Sequence, residues 1–343
     1  MAYTTADLVK YQAQLVAGMQ AGELRVRTPE VFNNLRINTE MMIPSHNEIK
    51  NSAKRTTGEV NYFARSSRAL GTGGETHNHT GVVGSSAIVV PSWTPYDDKF
   101  SYAIKQANDS VYNLDQMLMN EIVNINNNFS EGLETIAAAW IHANRSGVNV
   151  STAEGSFSAA NDVFEITEDY TNLVASGYRT LQIIKTNLRI NKWSAMLTIY
   201  ADTVGFNKMQ ALANNGAGNS INTSFQFSGV NFIHSPELDA LASALGYTAG
   251  YFIAEPENNT AVLDWIPPQN RAGFIGPDNK YGVLIHPTTG ILLGTHEYSA
   301  RAATQDVVTQ VQLFSYLSLN ASPLTVADET PLYAFALVAA VVA

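Results

Sequence analysis

The sequence predicts an α+β fold, and three observations support this. Residues 96–145 carry apolar side chains at three- and four-residue steps, a spacing typical of one long helix. Residues 58–93 have the pattern of a β-hairpin around a glycine-rich tip. The rest of the chain mixes shorter helix and strand signals and ends in strands, which indicates a domain of mixed helices and sheet.

Composition narrows the class of protein. The 343 residues are 45% hydrophobic and 15% charged, which fits two or three packed units and excludes a disordered chain. The absence of cysteine excludes disulfides, zinc–thiolate sites, iron–sulfur clusters and thiol nucleophiles. No basic and apolar leader is visible, and the longest apolar run, residues 332–343, is too short for a bilayer. We therefore expect a soluble protein, made in a cytoplasm, without membrane contact.

Charge is distributed unevenly along the chain. The net charge is −10, yet residues 1–100 hold ten Lys and Arg against nine Asp and Glu. Within residues 50–68 Glu59 is the sole acidic residue, and the basic residues are Lys50, Lys54, Arg55, Arg65 and Arg68. This asymmetry favours contact between the basic segment of one copy and the acidic body of another, although a solvated basic loop explains it as well. So acidic a chain is a poor candidate for a wide phosphate-binding face.

The first 50 residues predict an arm that lacks a core of its own. Residues 5–19 fit a short amphipathic helix with one buried face. Two prolines interrupt the chain after it. We expect this arm to find support on neighbouring copies. The predicted buried face consists of Leu8, Gln12, Leu15 and Met19.

The hairpin is predicted to need the same support. Its strands are expected at residues 59–68 and 86–90, around a tip at 71–84 that contains five glycines. An isolated two-stranded ribbon is only marginally stable in water. Tyr62 and Phe63 could stack on bases, but packing against a neighbouring protein is the favoured use. The predicted inter-subunit interface residues are Lys54, Arg55, Val60, Tyr62, Arg65, Arg68, Ile88 and Val90.

Several details of the long helix can also be predicted. Asp97 and Asp98 would complement the dipole at its start. The polar residues 126–128 are expected to interrupt it, with Asn128 capping a second segment and Glu131 completing a capping box.

The later part of the chain predicts further helices and strands. Helices are expected at residues 169–187, at 203–214 and from Pro236, which would be the first helical residue. Residues 296–319 alternate with a period of two, which predicts one long strand. The other predicted strands are 163–166, 196–200, 225–234, 251–254, 260–265, 281–285 and a closing strand at 332–342.

Motifs for catalysis are mostly missing. No complete dinucleotide loop, phosphate-binding loop or nucleophile elbow is present. One cluster, Glu75, His77 and His79, could place two imidazoles and a carboxylate on one face of a strand and hold zinc. The alternative is a polar hairpin tip whose histidines make ordinary hydrogen bonds, and we favour it because a glycine-rich tip does not form a concave pocket. We therefore predict no cofactor, no catalytic residue and no metal ligand.

The order of these elements resembles that of one family. Five stretches carry the likeness: the entry into the long helix, its small-residue end, a strand running into a loop, the long alternating strand and the closing strand. They are residues 93–100, 138–147, 227–238, 306–319 and 331–337. In this order they resemble the major capsid proteins of tailed bacteriophages, which have the Hong Kong 97-type fold.

The resemblance implies a domain organisation. Residues 1–50 would be the N-terminal arm, and residues 51–95 the extended loop. Residues 96–168 and 294–322 would form a peripheral domain with the long helix as its spine. The mixed α/β axial domain would take the remaining segments, residues 169–293 and 323–343.

The resemblance also implies a function and partners. The chain would be a structural subunit, not an enzyme, forming hexamers and pentamers of an icosahedral shell around double-stranded DNA. It would assemble in the host cytoplasm and reside in the virion, with a portal protein and with decoration proteins as further partners. A separate scaffolding protein is expected, because residues 1–95 are too few to include a scaffolding region. Two alternatives remain open: an encapsulin-like compartment shell, and a metal-dependent hydrolase using Glu75, His77 and His79.

Overall fold

The computed structural model describes most of the chain. The described residues are 5–37, 39, 43, 46–51, 60–63, 86–103, 113–146, 155–168, 173–190, 197–214, 224–227, 229–256, 259–271, 279–301, 307–321 and 332–339.

Helices and strands are interspersed along the chain. The helices are α1 (Thr5–Gln20), α2 (Glu30–Ile37), α3 (His46–Asn51), α4 (Leu114–Ala143), α5 (Leu173–Ile190), α6 (Thr203–Asn214), α7 (Glu237–Ala244) and α8 (Pro268–Arg271). The strands are β1 (Val60–Phe63), β2 (Ser86–Val89), β3 (Thr94–Ala103), β4 (Gly155–Ser158), β5 (Val163–Glu168), β6 (Leu197–Ala201), β7 (Ser224–Phe227), β8 (Val230–His234), β9 (Tyr251–Pro256), β10 (Thr260–Trp265), β11 (Asn279–Ile285), β12 (Leu292–Arg301), β13 (Val307–Ala321) and β14 (Tyr333–Ala339). We call α4, with its 30 residues, the spine helix.

The first sheet is antiparallel and contains five strands, in the order β10-β13-β12-β11 with β3 also paired to β13. The 15-residue strand β13 is its centre: β3 follows one edge, while β12 and then β10 follow the other. The prediction of a single strand over residues 296–319 is therefore wrong. Both β12 and β13 keep a period of two, so the alternation alone does not reveal that the chain reverses between them.

The second sheet has seven strands in the order β4-β5-β14-β9-β6-β8-β7. It is mixed, because β14 runs parallel to β5 and β6 runs parallel to β8, whereas the other neighbours are antiparallel. Strands β6 and β9 are buried along their whole length. Helices α5 and α6 contribute apolar residues to the core on this sheet.

The spine helix contributes a continuous apolar face to the other core. One of its faces is buried from Leu118 to Ile141 and shares a cluster with the first sheet, α7 and both N-terminal helices. The buried apolar residues on this face are Leu118, Ile122, Ile125, Phe129, Leu133, Ala137, Ala138 and Ile141.

The N-terminal segment packs on its own chain. Leu15 of α1 and Phe32 and Leu35 of α2 are fully buried in the cluster that the spine helix builds. Burying one such side chain contributes about 1.5–3 kcal/mol. The prediction that residues 1–50 lack support within their own molecule is thus wrong for residues 5–37. The amphipathic face itself was predicted correctly, but the sequence does not show which surface covers it.

Polar contacts fix the same segment against the spine helix. The side-chain amides of Gln12 and Asn126 donate to each other at 3.2 and 3.1 Å. The Asn126 amide also donates to the Ile122 carbonyl at 2.7 Å. The side chain of Asn126 is buried and makes hydrogen bonds within the molecule, and the helix continues without a break from Leu114 to Ala143. The prediction that residues 126–128 interrupt the helix is therefore wrong.

The spine helix begins later than predicted. Thr94–Ala103 is a strand, and the helix starts after Asn113, which caps it. The Asn113 side chain accepts from the Gln116 backbone amide at 2.8 Å. The Gln116 side chain accepts from the Asn113 backbone amide at 3.1 Å. The capping box predicted at Asn128 and Glu131 is therefore wrong, because these residues lie in the middle of a continuous helix.

Most of the other predicted elements are confirmed, with one split. Helix α6 matches residues 203–214, and β10 matches 260–265. The strand predicted at 225–234 is instead an antiparallel hairpin of β7 and β8. Its turn contains Gly229, whose φ of 76° lies in the region that favours glycine.

Strand pairing crosses the predicted domain limits. β10 and β11 were assigned to the axial domain, yet they pair with β13 and β12 in the first sheet. β4 and β5 were assigned to the peripheral domain, yet β5 pairs with β14 in the second sheet. The division into an arm, an extended loop and two domains stays a prediction.

Among the described residues, no helix combines the length and the apolar character that crossing a membrane requires.

Candidate inter-subunit interface

The β1–β2 hairpin is the first part of the candidate interface. Its strands are antiparallel, with Val60 opposite Val89 and Phe63 opposite Ser86, so the predicted hairpin is confirmed with shorter strands. Within the described part of the chain, these two strands form a sheet of their own and join neither larger sheet. A two-stranded ribbon gains little stability from its own pairing, so it needs a further surface to pack against.

The structure places half of the eight predicted interface residues. Val60 and Tyr62 lie in β1, and Ile88 lies in β2. Val90 directly follows β2 and is 63% exposed. In the register Val60 and Tyr62 stand opposite Val89 and Ala87, whereas Ile88 stands opposite Asn61. Val60 and Tyr62 therefore belong to one set of alternating positions in the ribbon, and Ile88 belongs to the other set. Outside the described residues are Lys54, Arg55, Arg65 and Arg68.

A groove between β3 and the spine helix is the second part. Its volume is about 240 Å³, and Phe129 and Leu133 form its apolar floor beside Tyr96 and Ile136. Gly132 lies on the helix side, and a Cβ at this position would meet no described atom within 4 Å beyond its chain neighbours and the backbone of its own helix. Glycine inside a helix is destabilising by about 1 kcal/mol relative to alanine, so Gly132 lowers the stability of the spine helix.

The β3 side of the groove is acidic. Asp98 accepts a hydrogen bond from the Asn128 side chain at 3.1 Å. Asp97 accepts from the Lys99 ammonium at 2.8 Å and from the Gln312 amide at 2.7 Å. The hydrogen bond from Lys99 is the main cause that lowers the pKa of Asp97, so this carboxylate is ionised at neutral pH. The predicted dipole role of Asp97 and Asp98 is wrong, since both lie in a strand well before the helix.

Sequence reasoning missed this groove. Its apolar residues were recognised as part of a helical stripe, but β3 was not recognised as a strand, so the two walls could not be placed together. The lone glycine inside a long periodic helix, Gly132, was the available signal.

The proposed metal ligands Glu75, His77 and His79 lie outside the described residues. In the part of the chain that the structure describes, no group of three His, Asp or Glu side chains is arranged to hold a metal ion.

Comparison with solved structures identifies the fold of this chain, whereas comparison of sequences finds no relative. No protein-family model matches the chain, and no curated protein matches it in sequence. Solved structures do match. A chain of Mycobacterium phage Che8 aligns with a TM-score of 0.51 and 10% identity, over 91% of this chain and 92% of that chain. A chain of the cyanophage A-1(L) capsid asymmetric unit aligns with a TM-score of 0.50 and 11% identity, over 91% of this chain and 93% of that chain.

These matches span nearly the whole chain on both sides, so the likeness concerns the complete architecture and not one common motif. The α+β capsid fold predicted from the order of elements is confirmed.

Proposed function

We propose that this chain is a structural subunit that assembles with copies of itself into the icosahedral capsid shell of a tailed phage, and that it is not an enzyme. The observation that carries the proposal is the likeness of fold to the cyanophage A-1(L) capsid chain over nine-tenths of both chains. The β1–β2 hairpin supports it, since a ribbon that joins neither larger sheet gains most by packing on another subunit.

The hairpin of one copy packs in the β3–spine groove of the next. Charge supports this pairing: the hairpin segment carries Arg65 and Arg68, whereas the groove carries Asp98 and also Asp97, which is paired with Lys99. The apolar floor of the groove can take an aromatic or branched side chain from the ribbon. A single contact of this size is weak, but a closed symmetric shell repeats it in every subunit. The eight predicted residues, from Lys54 to Val90, are the proposed hairpin side of this interface.

The remaining partners follow from a shell role. The shell encloses double-stranded DNA without sequence-specific contact, and the net charge of −10 supports retention by confinement. A portal protein, a separate scaffolding protein and decoration proteins complete the proposed assembly. Assembly takes place in the host cytoplasm, and the product resides in the virion.

Deleting the hairpin tests this function. Full-length protein should form uniform polyhedral or tubular particles in negative-stain images, whereas a variant lacking residues 58–92 should stay a small soluble species. The deletion should keep its circular dichroism spectrum, because the described hairpin strands join neither larger sheet.

Two results would contradict the proposal. One is full-length protein that stays monomeric at high concentration, alone and with the scaffolding gene of its own genome co-expressed. The other is normal particle formation by the deletion variant, which would remove the hairpin from the interface. Particles that enclose protein cargo and no DNA would point to a compartment shell.

A further inference from the structure

A polar cavity lies between α2, α3, β10 and the turn at 286–290. Its volume is about 410 Å³, which is in the size range of pockets that take an organic ligand. Arg36 and Ile37 line it from the end of α2, and Lys50 of α3 and Asp264 of β10 line it as well. The cavity shares no described lining residue with the β3–spine groove, so the two are separate features.

Several polar groups of the cavity wall are already paired. The Lys50 Nζ atom lies 3.0 Å from Asp264 Oδ2, which also accepts from the Leu292 backbone amide at 2.8 Å. The side-chain amide of Asn33 donates to the Thr288 carbonyl at 3.3 Å. These contacts hold the wall in place, and the Asp264 carboxylate offsets the charge of Lys50.

The guanidinium of Arg36 has no such partner. It donates to the Gly290 carbonyl at 3.0 Å, and no described carboxylate lies within 4.0 Å of it. A guanidinium has more N–H donors than this one contact uses. Gly290 has a φ of 66°, and a Cβ at this position would lie 2.9 Å from Nη1 of Arg36. Glycine at this turn therefore allows the close approach that places the guanidinium at the cavity.

The charges of the wall indicate what the cavity can bind. Arg36, Lys50 and Asp264 together leave one positive charge in a chain whose net charge is −10. A singly charged carboxylate matches this surplus and also matches the two-pronged geometry of a guanidinium. A phosphate dianion fits less well, because the Asp264 carboxylate repels its second charge.

We propose that this cavity is a second inter-subunit contact, which receives an aspartate or glutamate side chain from a neighbouring copy of the chain. The proposal rests on the proposed shell function, because that function supplies the neighbour. Each copy has 30 Asp and Glu against 20 Lys and Arg, so a neighbour offers carboxylates in excess over cations. Ile37 lines the cavity and is 72% exposed, so a peptide segment can cover an apolar side chain that a free ion would leave in water.

Assembly of the full-length chain tests this contact. Arg36→Gln removes the guanidinium and should raise the subunit concentration at which particles form by about tenfold, because a charge-assisted hydrogen bond is lost in every subunit. The matched control Arg25→Gln removes the same charge from an exposed position between α1 and α2 and should leave this concentration unchanged. Sedimentation and negative-stain images record the particles. Urea unfolding should give similar midpoints for both variants, because Arg36 makes one hydrogen bond to the described residues.

The variant Arg36→Lys gives a second measurement that does not depend on yield. It keeps the positive charge and places an amine at position 36. A carbodiimide couples an amine to a carboxylate in contact with it, forming an amide while the reagent takes up the water. Particles of this variant are grown from equal parts of light and heavy isotope-labelled subunits. The peptide that contains position 36 should be joined to an acidic peptide of the opposite label.

The outcomes separate this contact from the shell function. Wild type that forms no particles would overturn the shell function and this contact with it. If wild type assembles, the contact alone is overturned when Arg36→Gln assembles at the wild-type concentration, or when position 36 gives no cross-link between differently labelled subunits. Particles of Arg36→Gln that form normally but lose bound phosphorus would assign the cavity to a phosphate of nucleic acid, which also overturns the proposal.

Discussion

His286 shows how burial fixes the protonation state of a single residue. Its Nε2 donates to the Asn126 carbonyl at 3.1 Å, and its Nδ1 accepts from the Thr289 backbone amide at 3.3 Å. The ring is fully buried, and burial is the main cause that lowers its pKa to about 4. Nδ1 must therefore stay unprotonated to accept from the Thr289 amide, while Nε2 keeps the hydrogen that it donates to the spine helix.

This requirement predicts acid sensitivity. The unfolded chain binds a proton at His286 below about pH 6.5, whereas the folded chain does not until about pH 4. The free energy of unfolding should therefore fall by about 2 kcal/mol from pH 7 to pH 5 on account of this residue. Glutamine can make the same donor and acceptor contacts without titrating. Urea unfolding of His286→Gln should show an acid loss smaller by that amount, and an unchanged loss would show that His286 is not its source.

Residue-scale contacts of this kind could be predicted only in part. The amphipathic pattern placed Gln12 on the buried face of α1, which is confirmed. Its partner Asn126 is 114 residues away and was interpreted as a helix break. A buried pair of side-chain amides cannot be predicted from the sequence, because Gln and Asn taken singly are more typical of exposed positions.

At the scale of elements, the spine helix depends on where it is capped. Asn113 and Gln116 satisfy backbone donors at its start, which an uncapped helix leaves without partners. Asn113→Ala should therefore lower the unfolding free energy by about 1 kcal/mol. The matched control is Asn128→Ala in the middle of the helix, where alanine improves the helix propensity and one exposed hydrogen bond to Asp98 is lost. Its effect should stay within about 0.5 kcal/mol. Equal losses for the two variants in urea unfolding would contradict the observed helix start.

The start of this helix was mispredicted for a physical reason. Tyr96, Asp98, Phe100 and Tyr102 alternate with exposed residues, as expected for a strand with one face on the core. Phe100 also fits the four-residue spacing of the stripe that follows, so the helical period appeared to extend back to residue 96. The strand forms because β13, some 200 residues later in the chain, offers its edge. Short-range spacing carries no information about such a partner.

At the scale of the whole molecule, the first quarter of the chain contains two parts that differ in how they pack. Residues 5–37 pack on their own spine helix, so the arm contributes to the stability of one subunit. The β1–β2 hairpin joins neither larger sheet among the described residues, so we propose that a neighbouring copy supports it. The order of elements was enough to predict the fold, because long helices and paired strands leave strong periodic signals. It could not separate these two kinds of support.

Charge reversal at the hairpin tests whether the neighbour is held electrostatically. Arg65→Glu with Arg68→Glu places four carboxylates together if the hairpin lies in a groove that carries Asp97 and Asp98. Particle yield, measured by sedimentation and negative-stain imaging, should fall strongly at 50 mM salt. It should recover partly at 500 mM salt, because the Debye length falls from more than about 10 Å to less than about 8 Å.

Two further variants separate this contact from a general effect of charge. Arg179→Glu with Arg189→Glu makes the same change in net charge on α5, which packs on the second sheet, and should leave the yield at low salt close to wild type. Adding Asp98→Lys to the hairpin double variant should restore part of the yield, because the reversed hairpin then meets a cation at the rim. If the α5 variant loses as much assembly as the hairpin variant, the cause is overall repulsion between subunits. If Asp98→Lys restores nothing, the hairpin packs on another acidic surface of the body, and the β3–spine groove is not its site.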